Sequence, residues 1–408
     1  MMNSSPARAS AFLLSDVFCV LGAILCSMAG FSHITKYFHG TQLILFAAGI
    51  AIVVTVAMLW LRWMHLKPRK PLTVQWLALP WALFALLFVL LFPLAHQHTL
   101  GGGSDRDDAL RVSASALVHW HYLYSAKTFL GNQVTPLPGA ILMATPFYLL
   151  GNVSLQNIFW LALFSGFASW FFRGSSTAMI YLLVLLGTSA ANLDDFVVGG
   201  DYLVNAMYVC IAVALVIAAH KENVALWPQV ASEVFLGLAV DSRPIYIVVF
   251  PVLLAYLCQR QRRSAAVRAL LVAGSVAALL SVPFYLYDPA HFGPLHIRHK
   301  LDFIPAQYHA ALVLPALGLL ACGAGFLIRL SRQGVYLLIG VSLFCVLALP
   351  GLLAWFFHPF TLLALYQMSL VASPALFFSL WIFSKYEDTG YALRLRRERS
   401  TLSIGALS

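Results

Sequence analysis

Three carboxylates fall within four residues in the run Gly101-Gly-Gly-Ser104-Asp105-Arg106-Asp107-Asp108-Ala-Leu-Arg111. Carboxylates packed this closely repel one another, which favours a proton on at least one and suits it to general-base work. A divalent cation is the alternative neutraliser, since hard cations take carboxylate oxygens. The plainer role is helix initiation. Ser104 followed by Asp107 is close to a capping box, and acids suit the first turn of a helix dipole. Three acids exceed what a cap requires, so the cluster is a candidate for proton transfer or for holding a divalent cation.

The elements that must position these groups are membrane helices. The 408 residues are 61% hydrophobic and 10% charged, against about a quarter charged in a soluble domain. A water-soluble fold would have too little polar surface to cover itself. The formal charge of +10 does not point to nucleic acid, because the basic residues lie in short gaps between apolar runs with no continuous basic face. The six cysteines form no CxxC pair, which argues against a disulfide framework or a zinc site. The run starting near Ala11 has no clear small-residue cleavage site and reads as a retained span.

The chain therefore reads as an all-α polytopic membrane protein, one transmembrane domain over residues 1–408 with about twelve spans. The first three lie near Ala11–Phe31, Thr41–Leu61 and Val74–Ala95. The stretch from His96 is polar to about Pro136, and residues 96–154 form a long first outer loop. Leu137–Leu150 is apolar but too short to cross, and reads as interfacial. Spans follow near Leu155–Phe172, Ser176–Ala191, Tyr202–Ala219, Ala225–Val240, Pro244–Leu257, Ala269–Leu286, His309–Ile328, Val335–Phe356 and Phe360–Phe383, ahead of a basic cytoplasmic tail over 384–408. Ala225–Leu257 reads as two short spans or as one span broken at Asp241-Ser-Arg243-Pro244.

This arrangement leaves only Lys36, Arg106, Arg111, Lys127, Arg243, Arg298 and Lys300 among the lysines and arginines outside, in keeping with the positive-inside rule. Asp105, Asp107, Asp108, Asp194, Asp195, Asp201, Asp241, Asp288 and Asp302 fall on the same outer face. The orientation rule does not use acids, so their convergence is separate information. Chemistry belongs on the outer side. From Asp108 to Ser125 no proline or glycine interrupts, and Leu110, Ala114, Leu117, His121 and Tyr124 recur at helical spacing. A surface helix over that whole segment is expected. Asp16 and Glu233 sit in apolar runs with no visible partner.

Four motifs in order carry a resemblance. Asp107-Asp108 leads to His119-Trp-His121-Tyr-Leu-Tyr124, then Thr135-Pro136-Leu-Pro138-Gly139, then Ala144-Thr-Pro146-Phe-Tyr-Leu-Leu-Gly151. Together they resemble the first outer loop of the GT-C membrane glycosyltransferases, which include protein O-mannosyltransferases, lipid A aminoarabinose transferases and bacterial polytopic relatives. Gly199-Gly200-Asp201-Tyr202 and Gly237-Leu-Ala-Val-Asp241-Ser-Arg243-Pro244 extend the likeness to roughly Ser104–Leu257.

The resemblance implies an inverting transfer of a sugar from a polyprenyl-phosphate donor to a lipid, glycan or protein acceptor, on the periplasmic face of a bacterial inner membrane. Both termini are then cytoplasmic. Asp107 or Asp108 would take the acceptor's proton. In the aminoarabinose branch a lysine contacts donor phosphate where this chain has Thr135, so the contact would come from Arg243, Arg111 or Lys127. An arginine at a membrane boundary is costly and so a functional suspect, although a local salt bridge between Arg243 and Asp241 is the competing expectation. Asp201, His121 and Tyr124 are the substrate-contact candidates. No His-x-x-x-His spacing occurs in the outer loop Tyr287–Lys300, so no metal is assigned. A transporter or lipid-linked sugar flippase is the alternative class, and a polymer ligase using lipid-linked donors a third.

Overall fold

A computed structural model describes residues 6–29, 39–66, 73–96, 104–295, 309–357 and 372–405. The expectations resting on Gly101–Gly103, Lys36, the basic gap after the second expected span (Lys67, Arg69 and Lys70) and His296–Asp302 lie outside these residues. The first part of the expected span Phe360–Phe383 does too. Among the described residues the secondary structure is helical, apart from an isolated antiparallel bridge between Lys127 and Gln133.

The helices are α1 (Pro6–Ser27), α2 (Thr41–Leu66), α3 (Ala78–His96), α4 (Arg106–Val118), α5 (Pro138–Leu149), α6 (Leu155–Phe171), α7 (Ser175–Gly187), α8 (Ala190–Val197), α9 (Tyr202–Ala219) and α10 (Leu226–Val240). They continue with α11 (Val249–Cys258), α12 (Arg263–Tyr287), α13 (Ala310–Leu327), α14 (Arg332–Phe357) and α15 (Ala372–Gly405). By length and composition four described helices can cross a membrane: Thr41–Leu66, Val74–His96, Tyr202–Ala219 and Arg263–Tyr287. Counting the α7–α8 pair, which bends by 80°, gives five. The break at Thr188–Ser189 interrupts the single helix expected over Ser176–Ala191. Ser189 is the N-cap of the second piece, its hydroxyl accepting from the Asn192 N–H.

Apolar surface faces both ways on these helices, as lipid requires. α2 turns Val54, Met58 and Leu61 inward at spacings of four and three, while Ile52, Val53, Val56 and Leu59 stay exposed on its other side. That exposed face would be a liability in water and is natural against acyl chains. α9 is the central pillar, with 78% of its apolar window buried against 11% for α12.

The direction of each helix follows from its end contacts. Arg243, just before the 3-10 turn Pro244–Val248 that leads into α11, pairs with Asp201 at the start of α9. Gln261, just after α11, donates to the His220 carbonyl at the end of α9. α11 therefore runs with α9. α10 runs against it, since Glu233 meets His220 while Asp241 reaches the Gly139 level. The chain reverses at Asp241–Arg243, so 225–257 forms a helical hairpin. Where α10 crosses α12, a Cβ on Gly237 would lie 2.7 Å from Val276 Cβ, and α12 presents Ala266, Ala269 and Ala273 as buried small residues. Small side chains let the two backbones close up.

α5 does not follow the bundle axis. The Gly139 N–H at its start donates to the Asp241 carbonyl at 3.0 Å. Eight residues past its end, in the first turn of α6, Asn157 Nδ2 donates to Phe196 O and Gly200 O at 3.0 and 3.1 Å. Both ends of this helix attach to the same end of the bundle, beside Asp201 and Arg243. α4 packs on α5, and the Tyr122 hydroxyl that follows it donates to Phe284 O and Asp288 O at the end of α12.

The expected helix over Asp108–Ser125 is shorter. It ends at Val118 because Trp120 takes the left-handed conformation (φ 58°). The His121 N–H then bonds to Ala116 O at 2.8 Å and the Trp120 N–H to Leu117 O at 3.2 Å. That is a Schellman stop with tryptophan in the position glycine usually fills.

Candidate functional site

α3 and α4 meet around the acidic run. None of its acids caps a helix. Asp105 occupies the N-cap position of α4 without a side-chain cap bond. Its carboxylate instead accepts from Thr128 Oγ1 at 2.6 Å and Asn132 Nδ2 at 2.7 Å, pinning the turn beyond α4. Asp107 meets His96 Nε2 at 2.5 Å. Asp108 accepts from Arg111 at 2.5 Å and from the Phe129 N–H at 2.8 Å. The expected capping box between Ser104 and Asp107 does not form, because the Asp107 side chain turns to α3.

Burial is the main reason the Asp107 carboxyl is held above the usual carboxylate range; His96 opposes it, and repulsion from Asp108 adds only a small push. The expected cause, repulsion between neighbouring acids, is thus minor. Asp107 and Asp108 face different partners, His96 for the first and Arg111 with the Phe129 N–H for the second.

On the other side of α4, Arg106 reaches Asp195 on α8 at 2.5 Å, and Asp195 also accepts from the Leu203 N–H at 2.8 Å. The Arg106 guanidinium lies 4.0 Å from the centre of the Tyr202 ring, and the Arg243 guanidinium 4.8 Å from the same ring. Arg243 grips Asp201 with Nε and Nη2, at 3.2 Å and at 2.6 and 2.7 Å. Its Nη1 donates to the Thr135 hydroxyl at 2.9 Å. A fork of this kind fixes the guanidinium plane as well as its charge. The expected local pair of Arg243 with Asp241 is not what forms. Asp241 turns the other way, accepting from the Gly139 N–H at 3.0 Å and from Ser281 Oγ at 2.5 Å. With neutral donors only and buried, its carboxyl is pushed up to about 7.

Asp107, Asp108, Arg243 and Asp201 are therefore brought to one end of the bundle, with Arg106 and Tyr202 joining them. The other candidates divide. Arg111 is exposed and serves Asp108. Tyr124 is buried, and its hydroxyl donates to Pro136 O at 3.1 Å, so it supports the Thr135–Pro136 segment. His121 and Lys127 are exposed, and among the described residues neither makes a hydrogen bond or ion pair with the Arg243–Asp201 group. Sequence reading missed His96, Arg106, Asp195, Tyr202 and the role of Thr135. Arg106 was visible as the one cation inside an acidic run; nothing local marked His96. Among the described residues no group of three or more His, Cys, Asp or Glu side chains is placed to hold a metal ion.

Asp16 and Glu233 do have partners. Asp16 pairs with Arg62, and Glu233 with Arg268 at 3.0 Å and His220 at 3.1 Å. Both lie at the opposite end of the bundle. Comparison of the chain with protein families, with curated proteins and with solved structures yields no match.

Proposed function

We propose that the protein is a membrane glycosyltransferase of the GT-C kind, with about twelve spans and with α4 and α5 lying in the outer interface. In this reading it moves a sugar from a polyprenyl-phosphate donor to a lipid, glycan or protein acceptor on the periplasmic face of a bacterial inner membrane, both termini being cytoplasmic. The observation that carries it is the Tyr202 ring shared by Arg106 and Arg243, with the buried Asp107 next to Arg106 in the chain. Two fixed guanidiniums, and at the same end of the bundle a carboxylate whose burial favours its protonated form, are what phosphate departure and hydroxyl activation demand.

The contact between Arg243 and Thr135 adds support. In the resembling branch a lysine at the Thr135 position meets the donor phosphate; here the Arg243 guanidinium reaches that position from the α10–α11 turn. The acceptor oxygen attacks the anomeric carbon and its proton passes to Asp107. The bond from that carbon to the phosphate oxygen breaks, and the phosphate keeps the electron pair, facing Arg243 and Arg106. Asp201 and Asp195 hold the two cations in place before substrate arrives, which lowers the reorganisation needed in the transition state.

The test is sugar transfer in proteoliposomes from labelled polyprenyl-phosphate sugars. Asp107→Asn is expected to lower kcat by about 10²- to 10⁴-fold while thermal unfolding stays where it is. A variant with full activity overturns the assignment. The 80° bend between α7 and α8, close to Asp195, favours a second reading as a transporter or flippase, since broken helices often frame ion sites in transporters. Uptake or flipping that survives loss of both Asp107 and Asp108 selects that reading.

A further inference from the structure

Buried polar side-chain atoms without a hydrogen-bond partner gather at two places in the described structure, the His220–Glu233–Arg268 group and, in larger number and with no charge among them, the start of α6. Ser154 Oγ, Gln156 Nε2, Asn157 Oδ1 and Trp160 Nε1 are all buried and unpaired. Gln156 is 2% exposed and Trp160 7%. Such groups are costly unless something satisfies them. Two of the roles are unambiguous. An indole N–H only donates. Asn157 spends its Nδ2 on two carbonyls, Phe196 O and Gly200 O, so the atom left over is an acceptor.

The surroundings join this cluster to the site. The Trp160 ring meets Tyr208 edge-on at 5.3 Å and lies along Phe235 at 6.1 Å. The Tyr208 hydroxyl donates to Asn205 Oδ1, and Asn205 Nδ2 donates to Asp201 at 3.0 Å, which holds Arg243. Asn157 is bonded to Gly200, the residue before Asp201. Gln156 and Trp160 are four apart and share one face of α6.

The chemistry narrows the occupant. None of these four side chains is charged, so a phosphate belongs at the arginines and not here. A carbonyl only accepts and would leave Asn157 Oδ1 unpaired; an ammonium only donates and would leave the Trp160 N–H unpaired. Hydroxyl groups do both, and an aromatic wall suits the C–H face of a ring. We propose that the first two turns of α6 hold the hydroxyl-bearing sugar ring of the lipid-linked donor, with Gln156 and Trp160 donating to it and Asn157 accepting. This rests on the transferase reading and adds the residues that recognise the transferred group.

The experiment is equilibrium binding of glucosyl farnesyl phosphate and of farnesyl phosphate to the purified full-length protein in nanodiscs. The wild type is expected to prefer the sugar-bearing lipid. Trp160→Phe and Gln156→Leu are each expected to weaken that lipid about tenfold and to leave farnesyl phosphate unchanged. Gln156→Leu also replaces an unpaired buried amide with an apolar group of similar size, so its unliganded form should melt at a higher temperature. Unchanged preference in the variants, or a lower melting temperature of unliganded Gln156→Leu, overturns the proposal. So does density for ordered water only between Gln156 and Trp160 in the liganded complex. A wild type that binds both lipids equally removes the sugar subsite and leaves the phosphate reading standing. One that binds neither removes both.

Discussion

The two polar ends of the bundle use the same residue types differently. At the end holding Arg62, Arg173 and Arg268, ion pairs fasten one helix to another. Arg62 on α2 meets Asp16 on α1 and the Tyr386 carbonyl on α15. Arg173 reaches Asp388 at 2.9 Å, and Thr177 donates to Glu387 at 2.8 Å. Some of these cations also reach solvent, the Arg268 side chain being 36% exposed. At the end holding Asp107 and Arg243, the pairs converge on one aromatic ring, and the Arg243 side chain is only 10% exposed and that of Asp201 1%. An ion that can fall back on water fastens cheaply. One that cannot must keep its partner, and the molecule retains such pairs where orientation matters.

That contrast can be broken by single substitutions. Arg243→Met leaves the Asp201 carboxylate buried and unpaired and is expected to cost about 3–5 kcal/mol, read by thermal unfolding in detergent. Asp201→Leu combined with Arg243→Met should recover most of it. Glu233→Met at the opposite end is expected to cost less, about 1–2 kcal/mol, because the Arg268 side chain, 36% exposed, can turn to water. Equal losses at the two ends would show that exposure does not set the difference.

Asp241 sharpens the comparison through pH. Its folded-state carboxyl, near 7, lies above its unfolded value, so the folded chain holds the proton between about pH 4 and 7 and the unfolded chain does not. Stability therefore falls as pH rises through that window, by at most about 1.4 kcal/mol per pH unit, and levels off above it. Unfolding followed from pH 5 to 8 should show this slope in the wild type and a flatter one in Asp241→Asn. A slope that survives unchanged assigns it to another group. The smallest effect concerns the clasp between the α4 segment and α12: Tyr122→Phe removes a hydroxyl shared by two carbonyls and should cost about 1 kcal/mol in the same assay.

Much of this organisation was legible before folding. The acidic run at Asp105–Asp108, the basic gaps between apolar runs and the shortness of Leu137–Leu150 are local properties, and hydropathy and charge read them directly. The helix stop at Trp120 was not legible, because a tryptophan with positive φ is unusual and no glycine announced it. Neither was the break at Thr188–Ser189, where an apolar run continues through the bend. Arg243 was picked out as costly, but its partner was misjudged: Asp241 is closer in sequence and Asp201 closer in space. His96 escaped notice because its role depends on α3 ending beside α4.

The residues alone determined that this chain forms helices long and apolar enough to cross a membrane, since that property depends on the apolar content of each segment taken by itself. Only the tertiary structure decided which acid meets which cation. The reversal at Asp241–Arg243, the lie of α5 and the meeting of α6 with α9 bring together side chains tens of residues apart, and ion pairing falls off within a few ångströms.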